Sequence, residues 1–190
     1  NSGTINASVN GDQSKGLSAD GGITINGGSI TLTLSGNTVL ESSGSGYDPS
    51  YPTGIKTDGI LTINSGTISI QSTGLGGKGF SADGNIIIND GTITITTTGN
   101  GATYTNESGV TDSYTATCIK SDTNINLFAG SLTLSSSGTG GKGIKADGAI
   151  VIGNLNADDS LLNLNISTSG ERFYVSGSGE NADYANPKAV

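Results

Sequence analysis

Five aspartates, Asp20, Asp58, Asp83, Asp122 and Asp147, recur at one position of a repeated segment, at intervals of 38, 25, 39 and 25 residues. The segment reads KGLSADG at 15–21, GIKTDG at 54–59, KGFSADG at 78–84, CIKSD at 118–122 and KGIKADG at 142–148. If equivalent residues stack, these carboxylates form a column about 5 Å apart, and like charges at that distance repel. Lysines are spaced to compensate. Lys15, Lys78 and Lys142 lie five residues before the aspartate, and Lys56, Lys120 and Lys145 lie two before it. The lysine alternates between the two positions from repeat to repeat, with both filled only in the last. Two chemistries satisfy such a column. One is a charge-paired structural ladder whose aspartates also cap turns; the other is Ca²⁺ held by pairs of aspartates and turn carbonyls, since that ion accepts irregular oxygen geometry.

A second set of polar residues lies in two insertions, Asn37 to Thr53 and Asn100 to Thr117, which account for the longer repeats. They carry Tyr47, Tyr51, Tyr104 and Tyr114, together with Asp48 and Asp112, each ten residues ahead of a repeat aspartate, and Glu41 and Glu107. Tyrosine faces stack on sugar rings and carboxylates bond hydroxyls, so a polysaccharide site is expected here; the alternative is that the rings only pack their own loops. Catalysis has little to draw on. There is no histidine and no tryptophan, one cysteine, Cys118, and one arginine, Arg172. A glycosidase needs two carboxylates in different environments, and a lyase needs a base set apart from its neighbours; repeated aspartates and lysines offer neither.

The elements that position these residues follow from the apolar pattern. Leu17, Ile55, Phe80, Ile119 and Ile144 sit three residues before the aspartates, and pairs such as Ile30/Leu32, Ile68/Ile70, Ile93/Ile95 and Leu132/Leu134 sit ten and twelve after them. Within each unit apolar residues alternate with Ser, Thr or Asn, the period-2 pattern of a strand with one buried face. Three short strands per repeat cannot bury that face alone, so the repeats must stack. The expectation is an all-β, right-handed, single-stranded parallel β-helix of about six coils over residues 1–176, its hand set by the crossover rule. The column Gly36, Gly74, Gly99 and Gly138 is expected at corners that need positive φ. Both insertions then leave the same edge of the stack. Cys118 replaces a glycine and reads as a half-buried small residue. Beyond Asp147 the apolar series Ile150, Ile152, Leu155, Leu162, Leu164 and Ile166 continues, Asp158 and Asp159 interrupt the pattern, Phe173 to Val175 are expected to close the end, and 177–190 to form a tail or linker.

The formal net charge of −8 and pI near 4.2 argue against nucleic acid, which requires a basic stripe. No apolar run is long enough for a membrane span. A chain without an initiating methionine, acidic and poor in cysteine, is expected as a monomer outside the cell or on its surface, its targeting segment removed. Outward pairs Thr31/Thr33 and Thr94/Thr96 raise an ice-binding reading, but Ser69/Gln71 and Thr133/Ser135 interrupt the ranks.

The repeat itself, best seen at Lys78 to Ile95 and Lys142 to Ile152, resembles that of carbohydrate-binding β-helix proteins of bacterial cell surfaces. The resemblance implies a pectate-lyase-like fold, calcium bound with help from the repeat aspartates, and attachment to cellulose or acidic sugars such as polygalacturonate without lyase activity. Cys118 and Thr123 depart from the glycines that flank the other repeats. A calcium-dependent polysaccharide lyase and a stalk or adhesin segment are the alternatives.

Overall fold

The computed structural model describes residues 3–153 and 162–190. The first coil comprises β1 (Thr4–Val9), β2 (Lys15–Ala19) and β3 (Ile23–Ile25). In the second, β4 (Ser29–Leu34) leads through a hairpin, β5 (Val39–Ser43) and β6 (Gly46–Ser50), to β7 (Thr53–Thr57) and β8 (Leu61–Ile63). The third is β9 (Thr67–Ser72), β10 (Lys78–Ala82) and β11 (Ile86–Ile88). The fourth repeats the plan of the second: β12 (Thr92–Thr97), hairpin strands β13 (Ala102–Thr105) and β14 (Thr111–Tyr114), then β15 (Thr117–Ser121) and β16 (Ile125–Leu127). The fifth is β17 (Gly130–Ser136), β18 (Lys142–Ala146) and β19 (Ile150–Ile152), and β20 (Leu162–Thr168) opens a sixth. After it come β21 (Phe173–Ser176), a 3-10 turn (Gly179–Asn181) and β22 (Asp183–Ala185). No helix among the described residues is long and apolar enough to cross a membrane.

These strands form three parallel sheets, each taking one strand per coil: β1-β4-β9-β12-β17-β20, β2-β7-β10-β15-β18 and β3-β8-β11-β16-β19. The fold is therefore a parallel β-helix. Register is set by the apolar ladder, because a slip of one residue would turn every buried side chain outward. Ile30 pairs with Ile68, Ile68 with Ile93, Ile93 with Leu132, and Leu132 with Leu164. Leu17, Ile55, Phe80, Ile119 and Ile144 form the matching ladder of the second sheet. Ile23, Leu61, Ile86, Ile125 and Ile150 form that of the third. The three inner faces share one core, in which Phe80, Ile93 and Ile95 are fully buried. Each such side chain contributes about 1.5–3 kcal/mol by leaving water. At one turn Asn64 donates to Asn26 and Asn89 to Asn64, both at 2.7 Å, so side chains as well as strands bond coil to coil.

Two expectations about small residues are corrected. The column Gly36, Gly74, Gly99 and Gly138 is not at positive φ; among the repeat glycines that conformation is found at Gly28, Gly66, Gly91 and Gly130, where the first-sheet strands begin. The column is glycine because a Cβ on each would strike the backbone carbonyl of the glycine one coil earlier, Gly11, Gly36, Gly74 and Gly99 respectively. Gly170 continues it above Gly138. Cys118 is wholly buried, not half-buried; its thiol lies against the carbonyls of Ile95 and Ser135, and burial pushes it up to about 11.

Leu155, Asp158 and Asp159 lie outside the described residues. Phe173 packs where a Cβ on Gly101 or Gly140 would fall, and β21 contacts β14 at the flank of the stack. Residues 177–190 fold back onto the helix. β22 pairs antiparallel with β21, and the backbone N–H groups of Gly143 and Ile144 donate to Lys188 and Ala189, both at 2.9 Å. This last stretch covers the open edge of β18.

Candidate functional site

Each second-sheet strand delivers lysine to the same side of the molecule: Lys15 on β2, Lys56 on β7, Lys78 on β10, Lys120 on β15, and Lys142 with Lys145 on β18. Lys188 joins them from the folded-back C-terminal stretch. The chain has seven lysines and one arginine, so all its ammonium groups stand on one face of a protein whose net charge is −8. They line a succession of clefts. Lys15 and Lys56 border the first, with Tyr51; Lys78, Lys120, Lys142, Lys145 and Lys188 border the second, of about 260 Å³, again with Tyr51; Lys142, Lys145 and Lys188 also border the third. Shared walls make these one groove that runs across the strands, along the stack.

Lys78 is the most constrained. It is 5 % exposed, and its Nζ lies 3.2 Å from the centre of the Tyr51 ring, a cation–π contact. Burial pushes its ammonium well below the ordinary lysine value, and Lys120 and Lys145 add to the effect. No carboxylate among the described residues pairs with it. Burial likewise lowers Lys142, assisted by Lys188 and Lys145, and lowers Lys15, assisted by Lys56. Lys15 donates to the carbonyls of Gln13 (2.7 Å) and Tyr51 (2.6 Å); Lys142 donates to those of Gly140 (3.3 Å) and Asn186 (3.1 Å). Cations gathered this closely, four of them (Lys15, Lys78, Lys142 and Lys188) without a carboxylate partner among the described residues, favour an anion between them.

The two insertions are hairpins, and they stand side by side. Tyr47 bridges to Asn106, and the Ser45 N–H donates to the Glu107 carbonyl at 2.8 Å. Tyr51 and Tyr114 meet edge to face with centroids 6.3 Å apart, and Tyr104 lies 6.2 Å from Tyr114. Tyr51, Tyr114 and Asp112 form the hairpin wall of the lysine groove. Tyr47, Asp48, Tyr104 and Asp112 surround a neighbouring acidic cleft with Glu107. Burial raises the Tyr51 and Tyr104 hydroxyls, with Asp112 and Asp48 adding to it, so both stay protonated as donors. The six residues expected to meet a ligand thus lie in two adjoining clefts that share Asp112.

The repeat aspartates stand at the margin of the groove, about half exposed. Lys56 reaches both Asp58 (3.0 Å) and Asp83, Lys120 pairs with Asp122, and Lys145 lies 3.7 Å from Asp147. Burial works against the Lys56 charge, but the hydrogen bonds it donates to Asp83 and Asp58, with their negative charge, outweigh it and raise its pKa. Asp20 is exposed and has no ion pair among the described residues. Among those residues no three acidic, histidine or cysteine side chains gather as a metal cage. The Lys56 ammonium occupies the space between Asp58 and Asp83, the arrangement of a charge-paired ladder at that pair.

Sequence reasoning read the lysines as counter-ions only and missed the groove. The signal was their alternation between two strand positions. It also missed Tyr184 and Asn186, which wall the groove from the C-terminal stretch, with Arg172 stacked 4.3 Å from the Tyr184 ring. A family model described as "Carbohydrate-binding domain-containing protein" matches residues 1–160. No curated protein and no solved structure matches the chain.

Proposed function

The match spans most of the chain, which therefore belongs to the carbohydrate-binding domain-containing family, and from that premise we propose that it binds an acidic polysaccharide of the polygalacturonate type. Binding is non-catalytic, in the lysine groove. The observation that carries this reading is the placement of every lysine of an acidic chain along one groove walled by tyrosine. Ammonium groups meet uronate carboxylates, the Tyr51 and Tyr114 edges meet sugar rings, and Asp112 accepts from hydroxyls. Such polymers lie in cell walls and outside cells, so the protein works there, as a monomer or as part of a surface assembly.

Titration calorimetry with soluble polygalacturonate tests the reading, with fully methyl-esterified polymer as the neutral control. Heat from the first and none from the second is expected. Equal heats, or none from either, would reject it. Because Lys56, Lys120 and Lys145 already neutralise their aspartates, affinity is expected to survive a chelator; loss on chelation would return Asp58, Asp83, Asp122 and Asp147 to the role of calcium ligands.

One observation favours a second reading, a polysaccharide lyase. Of the three lysines whose basicity burial lowers, Lys78 is the most deeply buried and the one held against a tyrosine ring. Such an amine, in its neutral form, can take the C5 proton beside a uronate carboxylate while the C4–O bond breaks and water protonates the departing oxygen, leaving an unsaturated uronide. A rise in ultraviolet absorbance on incubation with polygalacturonate, absent in Lys78→Met, would establish it.

A further inference from the structure

We infer that the acidic chain lies along the stack axis with one uronate per strand of the second sheet, each carboxylate meeting the lysine of its own rung. This rests on the binding reading above and adds direction, register and length.

The alternation of lysines between two positions is otherwise unexplained. A structural ladder needs its cation at one repeat position, as Lys56, Lys120 and Lys145 show; Lys15, Lys78 and Lys142 pair with no aspartate among the described residues. In strand order the five rungs are Lys15, Lys56, Lys78, Lys120 and the pair Lys142/Lys145. Neighbouring rungs are about 4.8 Å apart, so the series spans roughly 19 Å. Successive lysines fall on opposite sides of a line down the sheet, three residues apart along the strand, or about 10 Å. That is a two-column zigzag of positive charge.

A linear 1,4-linked uronide carries the matching pattern. Each residue has one carboxylate, each ring is about one strand spacing long, and flipping successive rings sends carboxylates alternately left and right. Lying across the strands, it follows the shared walls of the three clefts and passes the Tyr51 ring where they join. Lying along a strand, it would meet two lysines at most. The paired aspartates flank the zigzag and compete for Lys56 and Lys120, so removing one such charge strengthens binding in place of weakening it.

Calorimetry with oligogalacturonides of one to ten residues, in chelator, reads this out. Affinity is expected to climb with each residue and level off between four and six. Lys15→Met is expected to move the plateau one residue shorter, and Lys78→Met to lower the pentamer affinity about three- to tenfold. Asp122→Asn is expected to raise pentamer affinity severalfold, with circular dichroism confirming that each variant is folded. A plateau at three residues or fewer, or beyond six, would overturn the register while polymer binding stands. No heat from oligomers or polymer would overturn the binding reading beneath it as well.

Discussion

The outer faces of the first and second sheets share one stack and one strand spacing, yet they carry opposite chemistry. The six first-sheet strands contain no Asp, Glu, Lys or Arg; they show solvent Thr31/Thr33, Ser69/Gln71, Thr94/Thr96, Thr133/Ser135 and Asn163/Asn165. The five second-sheet strands hold six of the seven lysines. A repeat makes every coil alike, so function is located where coils are made to differ. Between first- and second-sheet strands of the described coils, hairpins leave the second and fourth, and both stand over the lysine face. The neutral face has no such wall, and its threonine ranks are broken by Ser69 and Gln71.

The largest effect should come from carrying charge between the faces. Lys142→Glu with Lys188→Glu places two carboxylates in the groove, where like charges cost several kcal/mol, so affinity for polygalacturonate is expected to fall at least about a hundredfold. Thr94→Glu with Thr133→Glu alters net charge less than the lysine reversals do and leaves the groove intact, and affinity should change less than about twofold. Equal losses from the two pairs would mean that net charge, not the groove, governs binding. Binding by the parent protein should also vanish near 1 M salt, where screening acts over about 3 Å.

Next is the contrast across a single first-sheet strand. Ile95 is fully buried and Thr94 exposed, one residue apart on β12. Ile95→Ala should cost about 2–5 kcal/mol by lost burial and the cavity left behind, whereas Thr94→Ala should stay within about 0.5 kcal/mol. Denaturant unfolding measures both. Comparable losses would show that the outer threonines hold the coils together.

Period and spacing made the stack readable from the chain, since Ile30, Ile68, Ile93 and Leu132 can be aligned only if they superpose. Chain order also brought the hairpins to one edge, because long and short coils alternate. Other features were hidden for identifiable reasons. Glycine at 36, 74, 99 and 138 looks the same whether the cause is φ or a neighbouring carbonyl, and only the coil-to-coil approach distinguishes them. Lysines near aspartates look like counter-ions until the fold shows that Lys78 faces Tyr51 and no carboxylate. The C-terminal stretch lies outside the repeat, and three residues, Asp183–Ala185, are too short a strand to announce themselves.

The smallest expected effect separates the faces by titration. The first sheet has no ionisable side chain, while burial lowers Lys78, Lys142 and Lys15 in the second. In the unfolded chain these lysines titrate at 10.5, so between the lowered folded values and 10.5 the unfolded state holds more protons. The contribution of these lysines to stability therefore rises with pH across that window and is flat above it. Cys118 opposes this above pH 9, because its folded thiol keeps its proton to about 11 while the unfolded one loses it. The clean range thus ends near pH 9. Over the same range anion affinity should fall, as Lys78 gives up the charge that attracts the ligand. Stability and affinity moving in opposite directions with pH is a signature no uncharged face can produce. Lys78→Met should flatten most of the stability slope, measured as unfolding midpoint against pH, and reduce the affinity slope with it. If both slopes persist unchanged in that variant, the cation that senses pH is not the one beneath Tyr51.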